Sequence, residues 1–260
     1  MTIQQDDKWF IGHMEDLAVT ADQTGYVTFS DFLDDHQRSL LSKLEGRLPV
    51  CMDFFGGYSE AERVVAVFYP DYLAESLGDI LQEELQLLWI QPLDLRFVKR
   101  IPGHRDYLGA LMGTGIRRDK LGDLLTTEKG AYLWTKKEIA SYIVQELTGV
   151  GPTSVLVKPV EASEMPEPEV GTEAVVSVSS MRLDAVVSRG FNMGRSEAAK
   201  WIIAGKVLRS GIQILDVDKN VAVGDKITLR GKGLLKIKEE KGLSKSGRIQ
   251  LLVERLGDKK

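Results

Sequence analysis

The chain has 260 residues, 43% hydrophobic and 28% charged, with a formal net charge of −4. That is enough chain for two domains with their own cores, and no apolar run is long enough to cross a bilayer as a helix. One cysteine, Cys51, excludes an internal disulfide and fits a reducing compartment.

The net charge hides an asymmetry. Residues 1–179 hold 16 Lys/Arg against 29 Asp/Glu, and residues 180–260 hold 18 against 9. A polyanionic partner is therefore expected at the C-terminal end, with the acidic N-terminal part free to meet protein partners. The acidic N-terminus is not expected to be a secretory signal.

In chain order, residues 1–48 read as a helical segment. Trp9, Phe10, Met14 and Leu17 recur at helical spacing, as do Leu40, Leu41, Leu44 and Leu48, with Thr28–Leu33 as a connector. His13 and His36 have no second ligand at metal spacing, so no metal site and no cofactor are expected. Residues 49–160 read as an α/β domain. Val50–Phe55 and Arg63–Tyr69 form a hairpin-like pair around Gly56-Gly57-Tyr58, Tyr72–Glu84 a helix, and Leu85–Val98 one strand or two. His104–Met112 is a short helix closed by Gly113-Thr114-Gly115, and Asp119–Leu125 returns to the sheet. Gly130–Trp134 is a strand. Thr135-Lys136-Lys137-Glu138 has the form of a capping box, opening a helix that buries Ile139, Tyr142, Ile143 and Leu147. Thr153–Val157 is a last strand. Strands alternating with helices predict an α+β chain whose second domain resembles an RRM, although only Tyr132 and Trp134 stand in for that fold's base-stacking aromatics.

Arg96, Lys99, Arg100, His104, Arg105, Arg117, Arg118 and Lys120 crowd one stretch of this otherwise acidic body. Arg100, His104, Arg105, Arg117 and Arg118 are candidates for a secondary RNA contact. The alternative is a solvated edge whose charges pair with Asp94, Asp106 and Asp119. Residues 161–173 are an acidic Pro/Glu linker that like charges keep extended.

Residues 174–260 carry the main constellation. After the strand-like Ala174–Val178, a first helix from Arg182 to Arg189 buries Leu183, Val186 and Val187. It sets Arg182, Ala185 and Arg189 on one cationic stripe. A second helix from Arg195 to Ala204 buries Ala198, Ala199, Ile202 and Ile203, exposes Lys200, and offers Arg195 and Ser196 at an N-terminus suited to anions. Lys206 and Arg209 follow it, and Arg230-Gly231-Lys232-Gly233 makes a basic turn. Arg182, Arg189, Arg195, Ser196, Lys200, Lys206, Arg209, Arg230 and Lys232 are the expected RNA-binding residues. Arginine's planar fork suits phosphate oxygens, and such contacts read shape more than sequence. Lys236, Lys238, Lys241 and Lys245 are either a solvated tail or further contacts.

Arg182-Leu183-Asp184, Gly194–Ala198, Gly205-Lys206-Val207 and Val223–Ile227 resemble the S-four domain, the RNA-binding module named after the fourth protein of the small ribosomal subunit. Gly194 stands where that family usually has a hydroxyl cap, and Ser210-Gly211 where it usually has Asn-Gly. Gly56-Gly57-Tyr58, Ala61-Glu62-Arg63, His104–Gly113 and Gly122-Asp123 resemble the N-terminal domain of the YlmH family, which includes cyanobacterial photosystem-linked relatives. The resemblance implies two helices packed on a short sheet at the C-terminus. It also implies a non-catalytic, cytoplasmic or organellar protein that binds ribosomal and transfer RNA on the ribosome, at its large subunit. A role in translation quality control or a link to cell division goes with it.

Two other classes stay open. An RNA-modifying enzyme is one: Arg182-Leu183-Asp184 mimics a short pseudouridine synthase pattern, Gly113-Thr114-Gly115 is a partial methyltransferase-like loop, and His104 beside Asp106 could act as a general base. A protein-interaction adaptor tethered to RNA is the other.

Overall fold

The computed structural model describes residues 5–94, 100–166, 171–209 and 212–257. It divides into two compact units, Met1–Pro166 and Glu167–Lys260.

The first unit is four layers deep. Helices α1 (Gln5–Thr24) and α2 (Asp35–Leu41) cover one face of a sheet with strand order β1-β3-β2, formed by β1 (Thr28–Leu33), β2 (Cys51–Phe55) and β3 (Val64–Tyr69). Phe10, Met14, Ala18 and Leu41 meet Leu33, Ala66 and Phe68 on that side. Phe32, Val65, Val67 and Tyr69 leave on the other side toward a second sheet. All six positions of β3 are buried because both its faces are covered. Thr28–Leu33, read as a connector, is a strand. Ser30 and Asp31 interrupt the apolar alternation, and a bulge between Phe29 and Phe32 absorbs them. The buried Ser30 hydroxyl accepts from the Ala66 N–H at 2.8 Å, so pairing with β3 decides the conformation.

The second sheet comprises β4 (Leu85–Pro92), β5 (Leu121–Thr127), β6 (Gly130–Lys136), β7 (Gly149–Val150) and β8 (Thr153–Val160), in the order β5-β6-β4-β8-β7 and antiparallel throughout. Helix α3 (Leu77–Glu84) leads into β4; α4 (His104–Gly113) and α5 (Lys137–Glu146) supply the crossovers. This is the expected RRM-like β-α-β-β-α-β arrangement, with β4 and β6 central. Helices α4 and α5 pack on one face through Tyr107, Leu111, Ala140 and Ile143 against Leu88, Ile90 and Leu133.

Two local expectations fail. No capping box forms at Thr135, because β6 runs straight into α5 through Lys136 and the Thr135 hydroxyl donates instead to the Lys120 carbonyl at 3.0 Å. Tyr142 is 45% exposed and sends its hydroxyl to the Thr114 carbonyl.

The first domain's motifs converge on one clasp. The Asp123 carboxylate accepts from the Tyr58 hydroxyl at 2.6 Å and from the N–H groups of Glu62 and Arg63 at 2.7 and 2.9 Å. The Arg63 guanidinium donates to the carbonyls of Leu121 and Phe32. Gly57, at φ +92, lies against the Trp134 indole, where a Cβ would stand 2.4 Å from the ring. A Cβ on Gly122 would meet the Phe32 ring at 2.7 Å.

The second unit packs two helices, α6 (Leu183–Gly190) and α7 (Arg195–Ile203), on a six-stranded antiparallel sheet. Its strands are β9 (Thr172–Val178), β10 (Val207–Arg209), β11 (Ile212–Gln213), β12 (Lys226–Leu229), β13 (Gly233–Leu243) and β14 (Ile249–Leu256), in the order β11-β10-β12-β13-β14-β9. The sheet is larger than expected because the stretch of Lys236, Lys238 and Lys241, left open between a solvated tail and further contacts, is β13, where Lys238 pairs with Glu254 at 3.2 Å and Glu173 at 3.5 Å. Of the expected linker, Met165 packs on the first unit and Thr172 already begins β9; residues 167–170 and the Ser210-Gly211 turn lie outside the described residues. Only Arg182 and Arg189 reach solvent from α6. Ala185 is buried, so the expected smooth cationic stripe does not form. A Cβ on Gly190 would stand 2.3 Å from Leu235, which sets how closely α6 approaches β13.

Asp184 joins the two helix starts. Its carboxylate, 7% exposed, takes the Arg195 guanidinium at 2.9 and 3.1 Å and that of Arg182 at 3.2 Å on both oxygens. Burial opposes its ionisation, but the Arg195 and Arg182 bonds outweigh that and hold its pKa below the ordinary carboxylate value.

Asp123→Ala leaves a hydroxyl and two N–H groups without their acceptor and is expected to lower the stability of the first unit by about 2–4 kcal/mol in urea titrations. Because the folded pKa of Asp184 is depressed, its stabilisation is present above about pH 4 and lost as pH falls through the lower folded value. Asp184→Asn should therefore destabilise the second unit by about 2 kcal/mol at pH 7 and by less near pH 3, followed by circular dichroism melts at both pH values.

Candidate nucleic-acid interface

The structure sorts the cations of the second unit by what already holds them. Arg182 caps α6 and is shared between Asp184 and Asp218. Arg195 opens α7 on Asp184. The two guanidinia converge at the paired helix starts, 36% and 49% exposed. Arg209 is taken into the fold: its Nε meets Asp225 at 2.7 Å and another nitrogen donates to the Asn220 carbonyl at 2.9 Å. Arg189 is exposed at the far end of α6, where its carbonyl accepts from Arg255.

Helix α7 has no side-chain cap, because Gly194 occupies that position. Its first-turn N–H groups therefore point outward beside the exposed Ser196, and Lys200 follows one turn on. Ile203, expected on the buried side, is 66% exposed; Ala198 and Ile202 are buried in the core, and half-buried Trp201 packs against it.

At the other end of α7 a second group forms. Gly205, at φ +67, stops the helix and turns the chain so that Lys206 Nζ lies 4.8 Å from the centre of the Trp201 ring. The Arg230 N–H donates to the Lys206 carbonyl at 2.9 Å, which draws the β12–β13 turn alongside. Lys232 Nζ then reaches within 5.9 Å of the same ring. Gly231 holds φ +88 in that turn with open space where a Cβ would be. Trp201, half-buried between two ammonium groups, escaped the sequence reading. Nothing in the spacing links it to Lys232, far along the chain.

In the first unit the secondary candidates are mostly engaged. Arg100 pairs with Asp106 at 2.8 Å, and Arg117 pairs with Asp119. Arg118 turns inward to the Leu121 and Gly122 carbonyls at 2.6 and 3.2 Å; burial and the neighbouring Arg63 charge push its pKa down to about 10. Burial, then the charge of Arg118, lowers the pKa of His104, which is therefore neutral at pH 7. Arg105 is exposed at the start of α4, while Arg96 and Lys99 lie outside the described residues. Asp106 is occupied by the Gly103 N–H and Arg100, and neither of these bonds involves His104. The solvated-edge alternative thus describes Arg100 and Arg117 well.

Residues 84–164 match the family described as the putative RNA-binding domain in YlmH. Among solved structures, a cell division protein ylmH from Streptococcus pneumoniae shares the fold at a TM-score of 0.54 and 19% identity, over 64% of this chain and 98% of that one. The ribosome-associated protein quality control protein P2 of Bacillus subtilis is 30% identical over 253 residues, which is 97% of this chain and 96% of that protein. Similar along nearly its whole length to such a relative, and carrying that family's domain over β4 to β8, the chain belongs to the YlmH family.

Proposed function

We propose that this protein is a non-catalytic RNA-binding protein that holds structured RNA, ribosomal or transfer RNA, on the large ribosomal subunit in the cytoplasm and serves translation quality control. The observation that carries the reading is the arrangement along α7. An uncapped helix start with two guanidinia lies at one end, and Trp201 with Lys206, Arg230 and Lys232 at the other, about 13 Å apart by helical rise. Cations at both ends of a short rod suit two phosphates of a folded backbone rather than a base sequence. The name of the Bacillus relative and the description of the matched family point the same way. Two helices on a sheet with this cation pattern also agree with the S-four resemblance.

The enzyme readings lose their residues. Asp184, the acid of the pseudouridine-like pattern, is buried and held by two arginines. Gly113-Thr114-Gly115 closes α4 rather than opening a cofactor loop after a strand. His104 and Asp106 do not form the acid–base pair, because Asp106 binds elsewhere. The adaptor reading keeps one support, the acidity of residues 1–83, which hold 5 Lys/Arg against 16 Asp/Glu. That surface is the one we assign to any protein partner.

Charge reversal belongs on Lys206 and Lys232, since Arg195 also holds the fold. Lys206→Glu with Lys232→Glu should weaken binding to a ribosomal RNA stem-loop about tenfold or more and reduce the slope of log affinity against log salt by about two. Co-sedimentation with large subunits should fall in parallel. Unchanged affinity and slope would refute the reading, as would an altered nucleotide found by mass spectrometry after incubation of RNA with the protein.

A further inference from the structure

Strand β13 is far longer than the helices packed on its sheet. From Gly233 to Leu243 it spans about 33 Å, against about 12 Å for α6 and about 13 Å for α7. Both helices finish near its start: Gly190 closes α6 against Leu235, and the Arg230–Lys206 bond holds the end of α7 there. Strand β12 pairs with β13 only as far as Lys236. Over residues 238–243, among the described residues, β13 has β14 on one side and no strand on the other. The hairpin closes in a tight turn. The Ser244 N–H donates to the Arg248 carbonyl at 2.7 Å, and the Ser244 hydroxyl accepts from the Arg248 N–H at 3.1 Å. The result is a stiff arm that outruns the helical layer. Leu243 stands opposite Ile249, which packs on the core, yet Leu243 is 68% exposed.

The arm is also where the unit's cations go unanswered. Residues 241–249 include Lys241, Lys245 and Arg248 and no acid. All three are exposed, and among the described residues none has a carboxylate partner. Elsewhere in the unit Arg182, Arg195, Arg209 and Lys238 each meet one. The two acids of the arm, Glu239 and Glu240, lie nearer the helices, between two shifts of register. Such bulges twist an edge and blunt it against pairing with another chain, so the arm is poorly suited to adding a partner's strand. Gly242 and Gly247 leave open space where a Cβ would be, so an anion can approach the backbone of the tip.

We propose that the β13–β14 arm is a second RNA-binding element, whose tip enters the minor groove of a double-helical segment that α7 holds near the other end of β13. The minor groove of an RNA double helix is wide, shallow and edged by phosphates, and a two-stranded ribbon is thin enough to enter it. Lys241, Lys245 and Arg248 take phosphates along the edges, and Leu243 lies against the sugars. One exposed leucine is too little apolar surface to hold a membrane. Lys232 at one end of β13 and Arg248 at the other then measure a length: a stem much shorter than about 33 Å engages one end only. The inference rests on the RNA-binding reading above and deepens it, since the ligand becomes a double-helical stretch of minimum length.

The test compares two RNA stem-loops with the same loop on the full chain, by fluorescence anisotropy. One stem has about 6 base pairs and the other about 16, the reach of binders that span two minor grooves. Lys241→Gln with Lys245→Gln and Arg248→Gln should weaken long-stem binding about tenfold and flatten its salt slope by about two, while short-stem affinity moves less than about twofold. Iron–EDTA tethered at Ser246→Cys, in a chain whose single cysteine is replaced by Cys51→Ser, should cut the long stem in one minor-groove tract. Circular dichroism melts check the fold; should the triple variant melt early, the cutting pattern decides, since that chain keeps its cations. Unchanged long-stem binding by the triple variant, an equal loss on both stems, or the absence of localised cutting would each overturn the arm. So would a triple variant that loses only its adhesion to phosphatidylserine vesicles. Lys206→Glu with Lys232→Glu separates the two claims. If that pair leaves both stems bound as before, the α7 reading fails; if it weakens both while the triple variant changes neither, only the arm fails.

Discussion

The seating of the Trp134 indole against Gly57 governs the first unit. Any side chain at Gly57 would enter the ring, and at Gly122 it would enter Phe32, so only bare backbone lets the N-terminal sheet close on the RRM-like one. That closure buries the row through Trp134, Leu87 and Val160 and gives β3 its two covered faces. It also decides what remains open. The Asp123 clasp stitches the same junction with polar bonds, and Arg63 and Arg118 are drawn in to satisfy carbonyls there. Two arginines beside one carboxylate are costly to desolvate, and the lowered pKa of each records it. Their role is to hold the junction, which is why a count of basic residues overstates what this unit offers to RNA.

The second unit divides its charges in a comparable way. Asp184 and Asp225 take three arginines into the fold, and partial exposure leaves two of those with a free edge. The lysines are treated differently. Lys206 and Lys232 rest on the Trp201 ring, where the π-face attracts an ammonium without neutralising it. A cation held by a ring keeps its full charge for a ligand, whereas one held by a carboxylate does not. The uncapped start of α7 adds donors that carry no counter-charge of their own.

Much of this was legible before the structure. Period changes gave the alternation of helices and strands, and the Gly-rich turns gave most boundaries. Ala198 and Ile202 were readable as the buried seam of α7 from their helical spacing. The misreadings have common causes. Thr28–Leu33 is a strand only because β3 pairs with it, and Ser30 hides the alternation. Ala185 is buried because α6 is enclosed nearly all round, so helical periodicity carries little information there, whereas Ile203 is exposed at the last residue of α7. Thr135-Lys136-Lys137-Glu138 met a capping pattern but sits where a strand runs directly into a helix. Trp89 with Tyr132, and Trp201 with Lys232, became neighbours through sheet register and a hairpin, relations that spacing along one chain does not encode.

Strand β9 enters the second unit at the edge of its sheet and pairs along its length with β14, the last strand described; Gly171 reinforces the entry by donating to Glu254. During synthesis, β9 emerges long before its partner and has to wait while both helices and four strands are made. Closing so long a loop delays that ladder. The nascent unit thus presents an unpaired strand edge until β14 arrives, a period in which a chaperone or a second nascent chain could compete for it.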